Sequence, residues 1–171
     1  MEMGPFQFDL DKSNSQEGRI SVTSAEKERL FRVDLSNLGS AIESEIESHP
    51  IEEEAGISAV VKSATKELLL LQKAEAFLLR RTIKARDAYD VRLLKTLGAA
   101  LSPNLQAYLG DTILANEIDS DTISDRIERI DMNRCRLELE PILPPEVYSG
   151  LEDAEFEPLR SALKELYERW L

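Results

Sequence analysis

KELLLLQKAEAFLLRR, residues 66–81, is the stretch that decides the fold, because almost every residue in it is a strong helix former. It lies inside a longer segment, Ile57 to Leu97, that contains neither glycine nor proline. One helix over this segment spans about 60 Å at 1.5 Å per residue, whereas a typical helix has about 11–12 residues. We therefore predict one long helix over about 57–100 as the axis of a mainly α fold.

This segment carries apolar residues on two sides of a helix. One stripe contains Ile57, Val61, Ala64, Leu68, Leu71, Leu78, Ala85 and Tyr89, and the other contains Leu69, Ala76, Leu79, Ile83, Leu94 and Leu97. Two apolar faces are typical of a central bundle helix. Glu75, Thr82 and Arg92 interrupt the heptad pattern, which disfavours an extended coiled coil. We predict a bundle of four to five helices around the 57–100 helix.

Two flanking segments have their own helix signals. Apolar residues from Phe31 to Ile46 recur at helical spacing and predict a helix over about 24–48, which ends at Pro50. Ser102 followed by Pro103 is a helix start, with serine as N-cap and proline at the first helical position.

Residues 1–22 differ from the rest of the chain. Apolar and polar residues alternate from Phe6 to Leu10 and again from Ile20 to Val22, which indicates a small β-hairpin near the N-terminus. The alternative interpretation is a disordered tail. We therefore divide the chain into a tail or weak hairpin at 1–22 and a helical domain at 23–171. A proline-rich connector at 141–145 precedes the C-terminal helix, which we predict over about 154–170.

Composition and charge restrict the class of protein. Hydrophobic residues make up 42% and charged residues 32% of the 171-residue chain, as in folded soluble proteins. The net charge of −12 disfavours general binding to nucleic acid or to anionic membranes. There is one cysteine, no basic leader followed by an apolar run, and no apolar run long enough to cross a membrane. We expect a cytoplasmic protein.

One segment, residues 80–95, reverses the charge of the rest, because it carries six basic and two acidic side chains. As a single helix it presents Arg81, Lys84, Arg92 and Lys95 on one side, with Arg80 adjacent. This basic segment is our candidate surface for phosphates or an acidic partner. The alternative is that its cations pair internally with acidic residues of neighbouring helices.

The C-terminal helix supplies a second candidate surface. Its apolar face contains Leu159, Leu163, Leu166 and Trp170, and it can dock a partner chain or a second copy.

Chemical motifs are weak throughout. The sequence contains neither GxxxxGK[ST] nor GxGxxG, which excludes a standard phosphate loop. His49 is the only histidine, which excludes a two-histidine zinc site. We assign no catalytic, cofactor-binding or metal-binding residue and expect no cofactor.

These observations favour a non-enzymatic helical adaptor, scaffold or assembly subunit that binds a protein partner or associates with itself. The alternative is an accessory subunit of a nucleic-acid-processing complex that uses the basic segment 80–95. An enzyme with carboxylate, tyrosine or lysine chemistry is a third hypothesis.

Overall fold

The computed structural model describes residues 6–11, 17–24, 29–36, 45–52 and 58–171. The chain forms two compact units, residues 1–44 and residues 45–171.

The first unit contains a three-stranded antiparallel sheet in the order β1-β2-β3. Its strands are β1 (Phe6–Asp11), β2 (Glu17–Ser24) and β3 (Arg29–Ser36). β1 and β2 pair as an antiparallel hairpin, as predicted for the N-terminal residues. The predicted boundary between residues 22 and 23 lies inside β2.

The predicted helix over 24–48 is wrong, because β3 and the start of β4 (Ile46–Glu52) lie within it. Phe31, Val33 and Leu35 alternate with polar residues, a period of two that fits a strand as well as the wider spacing fits a helix. β2 supplies the pairing partner, with Val22 opposite Phe31. Backbone pairing to a neighbouring strand decides between the two patterns.

The second unit begins with a β-hairpin and continues as helices. β4 pairs antiparallel with β5 (Ser58–Ala64). Seven helices follow in the described residues: α1 (Lys66–Leu79), α2 (Ala85–Thr96), α3 (Pro103–Ala115), α4 (Ser120–Glu128), α5 (Met132–Leu139), α6 (Pro145–Asp153) and α7 (Glu157–Tyr167). The predictions of a mainly helical fold and of a helix start at Ser102-Pro103 are confirmed.

The core of this unit lies between α1 and the helices that surround it. Phe77 of α1 stacks on Tyr167 of α7 with ring centroids 6.1 Å apart, and the Tyr167 hydroxyl donates to the Ala74 carbonyl oxygen at 2.8 Å. Among the residues that the structure describes, the largest fully buried side chains are Tyr167, Phe77, Phe156, Leu68, Leu70, Leu71, Leu109, Ile123, Ile127, Ile130, Leu139 and Leu159. The leucine-rich stretch therefore forms the centre of the bundle.

The prediction of one helix over 57–100 is wrong. The segment is divided into β5, α1, a loop at 80–84 and α2. Its first part forms a strand because the β-branched run at Val60–Val61 pairs with β4. Thr65 then caps α1, accepting a hydrogen bond from the Leu68 amide. The break at 80–84 is held by hydrogen bonds from side chains of α4 and α5.

The predicted C-terminal helix over about 154–170 corresponds to α7, which is shorter and is separated from α6 by a tight turn. α6 ends at Asp153 and α7 begins at Glu157. Glu155 and Phe156 between them have positive φ angles of 51° and 57°, so the helix cannot continue through them. Phe156 is fully buried and packs on Tyr148 with ring centroids 5.9 Å apart, which holds this turn in place.

None of the helices in the described ranges is long and apolar enough to cross a membrane.

Candidate functional site

The loop at 80–84 is held by side chains from two later helices. Arg126 of α4 donates to the carbonyl oxygens of Phe77 and Arg80, which α1 leaves without partners at its end. Arg134 of α5 donates through Nη1 to the Ile83 carbonyl oxygen at 2.6 Å. These contacts fix the course of the loop, and with it the position of the cations that the loop carries.

The start of α2 is capped from α5 as well. The Ala85 amide donates to Oε2 of Glu138 at 2.8 Å, a charged acceptor at the positive end of the helix. The same carboxylate lies 3.4 Å from Lys84 Nζ. Because Glu138 occupies this end of α2, the helix terminus itself is not open to an external anion.

Three of the predicted surface cations are tied internally. Arg80 Nη1 lies 3.0 Å from Asp87 Oδ2, and Lys84 pairs with Glu138 as described above. Lys95 Nζ lies 2.6 Å from Glu165 Oε2. These three cations therefore form internal ion pairs, which is the alternative that the sequence left open for the basic segment.

The other cations of the segment are different. Arg81 and Arg86 are exposed and Arg92 is half-buried. No ion pair joins any of the three to another residue in the part of the chain that the structure describes. The predicted helical stripe does not form, because Arg81 lies in the loop before α2. Ala88, which lies between Lys84 and Arg92 on the same side of a helix, is fully buried.

A buried carboxylate joins α1 to α2. The Asp87 side chain is 1% exposed, and neither of its oxygens accepts a hydrogen bond from the described residues. Lys73 Nζ lies 3.8 Å from Asp87 and 2.6 Å from Asp90. Burial raises the pKa of the Asp87 carboxyl, and the charges of Arg80 and Lys73 only partly offset this effect. Asp87 is the most desolvated charge that the described residues hold between these helices.

The predicted C-terminal residues divide into core and surface. Leu159 and Leu163 are fully buried and belong to the core. Leu166 and Trp170 are half-buried and line a surface groove of about 290 Å³, together with Leu70, Lys95, Ala99, Ala100, Leu101, Gln106, Glu165, Glu168 and Arg169. An added Cβ on Gly110 of α3 lies 3.7 Å from the Trp170 indole, so the ring covers this part of α3.

The structure reveals a surface that the sequence reasoning missed. Arg86, Tyr89 and Leu93 of α2 and the C-cap residue Leu97 are spaced i, i+3, i+7 and i+11. They share one side of the helix, which we call the α2 face. Leu93 is 40% exposed and Leu97 is 60% exposed. Asp90 beside them has its charge matched by Lys73. The α2 face therefore presents apolar side chains with a cation at one end.

The signal for the α2 face was present as helical spacing but was assigned to the core. The sequence pattern puts Tyr89 and Leu97 on the apolar stripes of one long helix, whereas the observed α2 buries Ala85, Ala88 and Val91. Leu93 and Leu97 at the end of α2 are exposed.

The single thiol offers no reactive group. Cys135 is fully buried in α5, and burial raises its pKa to about 12, so the thiolate is absent at neutral pH. Within the described residues, no group of three or more His, Cys, Asp or Glu side chains is placed to hold a metal ion.

No protein-family model, curated protein or solved structure matches the chain.

Proposed function

We propose that the protein is a non-enzymatic helical assembly subunit that docks an amphipathic, acidic helix of a partner protein on the α2 face. The exposure of Leu93 and Leu97, one turn apart on the same side of a helix, carries the proposal. Large apolar side chains that cluster in this way on a surface are typical of protein–protein contacts.

The spacing of the α2 face favours a helix as the partner element. Residues four apart form a ridge on a helix surface, and a second helix packs its own ridges beside it. Burial of a leucine side chain contributes about 1.5–3 kcal/mol. Leu93 and Leu97 together supply the apolar anchor of such an interface, with Tyr89 as an aromatic neighbour.

Charge favours an acidic residue near one end of the partner helix. Arg86 lies at the start of the α2 face and Arg81 lies in the adjacent loop, and both are exposed without an ion pair to a described residue. Opposite charges across an interface raise the association rate and fix its orientation. Because the loop is clamped by Arg126 and Arg134, Arg81 is displayed at low conformational cost.

The test compares two pairs of exposed leucines. Leu93→Glu/Leu97→Glu places charges on the α2 face, and Leu114→Glu/Leu137→Glu is the matched control, since these leucines are 79% and 78% exposed on α3 and α5. Each protein is used to capture partners from cells, and the partner that the wild type retains is then purified and its Kd measured. We expect the α2 variant to weaken this binding by more than tenfold, a loss of at least about 1.4 kcal/mol.

The control variant should bind as the wild type does. Arg81→Glu/Arg86→Glu should slow association and remove its dependence on salt. A wild-type protein that has no partner and stays monomeric in light scattering contradicts the proposal. Equal binding by the two leucine variants contradicts the α2 face as the site.

A second function, as an accessory subunit of a nucleic-acid-processing complex, is supported by the cations without an ion pair. Arg81, Arg86 and Arg92 can contact phosphates without breaking an internal pair, unlike Lys84 and Lys95. Their triple reversal to glutamate should abolish binding to DNA or RNA, with the Leu93→Glu/Leu97→Glu variant binding normally. Absence of binding by the wild type at about 50 mM salt removes this function.

A further inference from the structure

The bend between α1 and α2 is imposed from outside the segment that bends. The loop sequence Arg80-Arg81-Thr82-Ile83-Lys84 contains neither glycine nor proline. Arginine and lysine are good helix formers, and threonine and isoleucine are tolerated in helices. The segment on its own therefore favours continuation of the helix from α1 into α2.

The backbone at the two ends of the loop requires no special residue. Arg80 has φ −62° and ψ 135°, and Lys84 has φ −121° and ψ 123°, both in the extended region that every residue adopts easily. The bend persists because its free backbone groups find partners in α4 and α5. Arg126 donates to the carbonyl oxygens of Phe77 and Arg80, and Arg134 donates to that of Ile83. Glu138 accepts a hydrogen bond from the Ala85 amide.

We propose that residues 80–84 are a hinge through which α1 and α2 open into one continuous helix, so that two copies of the chain exchange α1 and form a dimer. In such an exchange each α1, with the β4–β5 hairpin before it, packs on α2 and α7 of the other copy. This goes beyond the docking function, because the partner is a second copy and the element exchanged belongs to the core.

The contacts that hold α1 in place lie on the far side of the hinge, so all of them can re-form between two copies. Tyr167 of α7 bonds to Ala74 and stacks on Phe77. Lys73 approaches Asp87 and Asp90 of α2. The opened form loses the contacts of the loop itself. These are the clamp formed by Arg126 and Arg134, the burial of Ile83, and the ion pairs of Arg80 with Asp87 and of Lys84 with Glu138.

One contact makes the two forms distinguishable. Lys66 Nζ donates to the Leu97 carbonyl oxygen at 3.1 Å, so the first residue of α1 and the end of α2 lie side by side in the bent form. In one continuous helix, residues 66 and 96 are about 45 Å apart at 1.5 Å per residue. Spin labels on Lys66→Cys and Thr96→Cys, in a Cys135→Ala background, report this distance. Dilution of the labelled chain with excess unlabelled chain restricts the signal to one chain.

The clamp variant Arg126→Gln/Arg134→Gln should shift the full-length protein to the dimer. We expect the dimer association constant to rise by roughly tenfold or more, and the distance within one chain to lengthen to about 45 Å. Adding Thr82→Gly, which disfavours a helix through the hinge, should restore the monomer and the short distance. A folded clamp variant that stays monomeric, or a dimer in which the short distance persists, overturns the proposal.

A second variant covers the case in which the clamp variant does not fold. Arg81→Ala/Thr82→Ala leaves the clamp intact and raises the helix propensity of two exposed loop residues. It should also increase the dimer fraction with the long distance. Circular dichroism verifies that it is folded, and an unchanged monomer fraction overturns the hinge.

Discussion

Arg126 donates to the Phe77 carbonyl oxygen through both Nε and Nη2, at 2.9 and 2.6 Å. The same guanidinium lies 5.8 Å from the centroid of the Phe77 ring. One side chain of α4 therefore satisfies the end of α1 and packs on an aromatic ring of the core. A planar fork with several donors is needed for this arrangement, and only arginine has it.

We expect Arg126→Lys to destabilise the protein although it keeps the charge. A lysine places one ammonium group where the guanidinium serves two carbonyl oxygens, so at least one charge-assisted hydrogen bond is lost. Such a bond is worth about 1.5–3 kcal/mol, and urea unfolding measures the loss. The control is Arg129→Lys, since Arg129 is 62% exposed and pairs with Asp125 on the surface. The control should change the free energy of unfolding by less than about 0.5 kcal/mol. Equal effects at both positions contradict the capping role.

The bend at 80–84 could not be predicted from its own sequence, because the groups that hold it come from 46 to 53 residues later in the chain. Local helix propensity favours a continuous helix there, and tertiary hydrogen bonds override it. The start of α3 shows the opposite case. Ser102 and Pro103 are signals that act over a few residues, so the predicted start agrees with the structure.

Because Asp87 is buried, we expect the effect of removing its partner Arg80 to depend on pH. We expect Arg80→Ala to cost about 2 kcal/mol at pH 7, below the 3–5 kcal/mol typical of breaking a buried pair. The cost is reduced because the Arg80 side chain is 40% exposed and Lys73 still lies 3.8 Å from the carboxylate. Urea unfolding at several pH values measures it.

The sign of this pH dependence follows from the pKa of Asp87. Burial raises this pKa, and Arg80 is the strongest charge that opposes the rise, so its removal raises the pKa further. When the pKa of a carboxyl is higher in the folded than in the unfolded state, the protein loses stability as the pH rises from about 4 through the folded pKa. The deficit of Arg80→Ala should therefore be largest at pH 7 and small near pH 4. In Asp87→Asn/Arg80→Ala this pH dependence should be absent, and a deficit equal at both pH values contradicts the account.

Cys135 should be unreactive in the native protein. Its side chain is fully buried and its pKa is raised to about 12, so a disulfide reagent at pH 8 meets neither an accessible sulfur nor a thiolate. We expect labelling to proceed only at the rate of unfolding, and to become fast and stoichiometric in denaturant. Rapid labelling without denaturant contradicts the buried position.

The candidate surface was predictable in part. Net charge along the chain locates the basic segment, since charge is a property of the sequence. Which of its cations remain free depends on distant carboxylates, because Glu138 and Glu165 neutralise Lys84 and Lys95 only in the folded chain. The exposure of Leu93 depends likewise on which side of α2 packs on its neighbours, and the structure buries the side that carries Ala85, Ala88 and Val91.

We expect glycine-to-alanine substitutions at Gly98 and Gly150 to change the stability of the protein in opposite directions. Gly98 follows α2 with φ +80°, and the Ala99 amide donates back to the Leu94 carbonyl oxygen, which closes the helix end. A Cβ there lies 3.7 Å from Lys66 Nζ, an ordinary contact, so the penalty of Gly98→Ala comes from the backbone and is about 1 kcal/mol or more. Gly150 lies inside α6 with no atom within 4 Å of an added Cβ. Gly150→Ala should therefore stabilise the protein by about 0.5–1 kcal/mol, because alanine favours the helix and restricts the unfolded chain. Thermal and urea unfolding of both variants measure these effects, and a shift in the same direction for both contradicts the assigned backbone conformations.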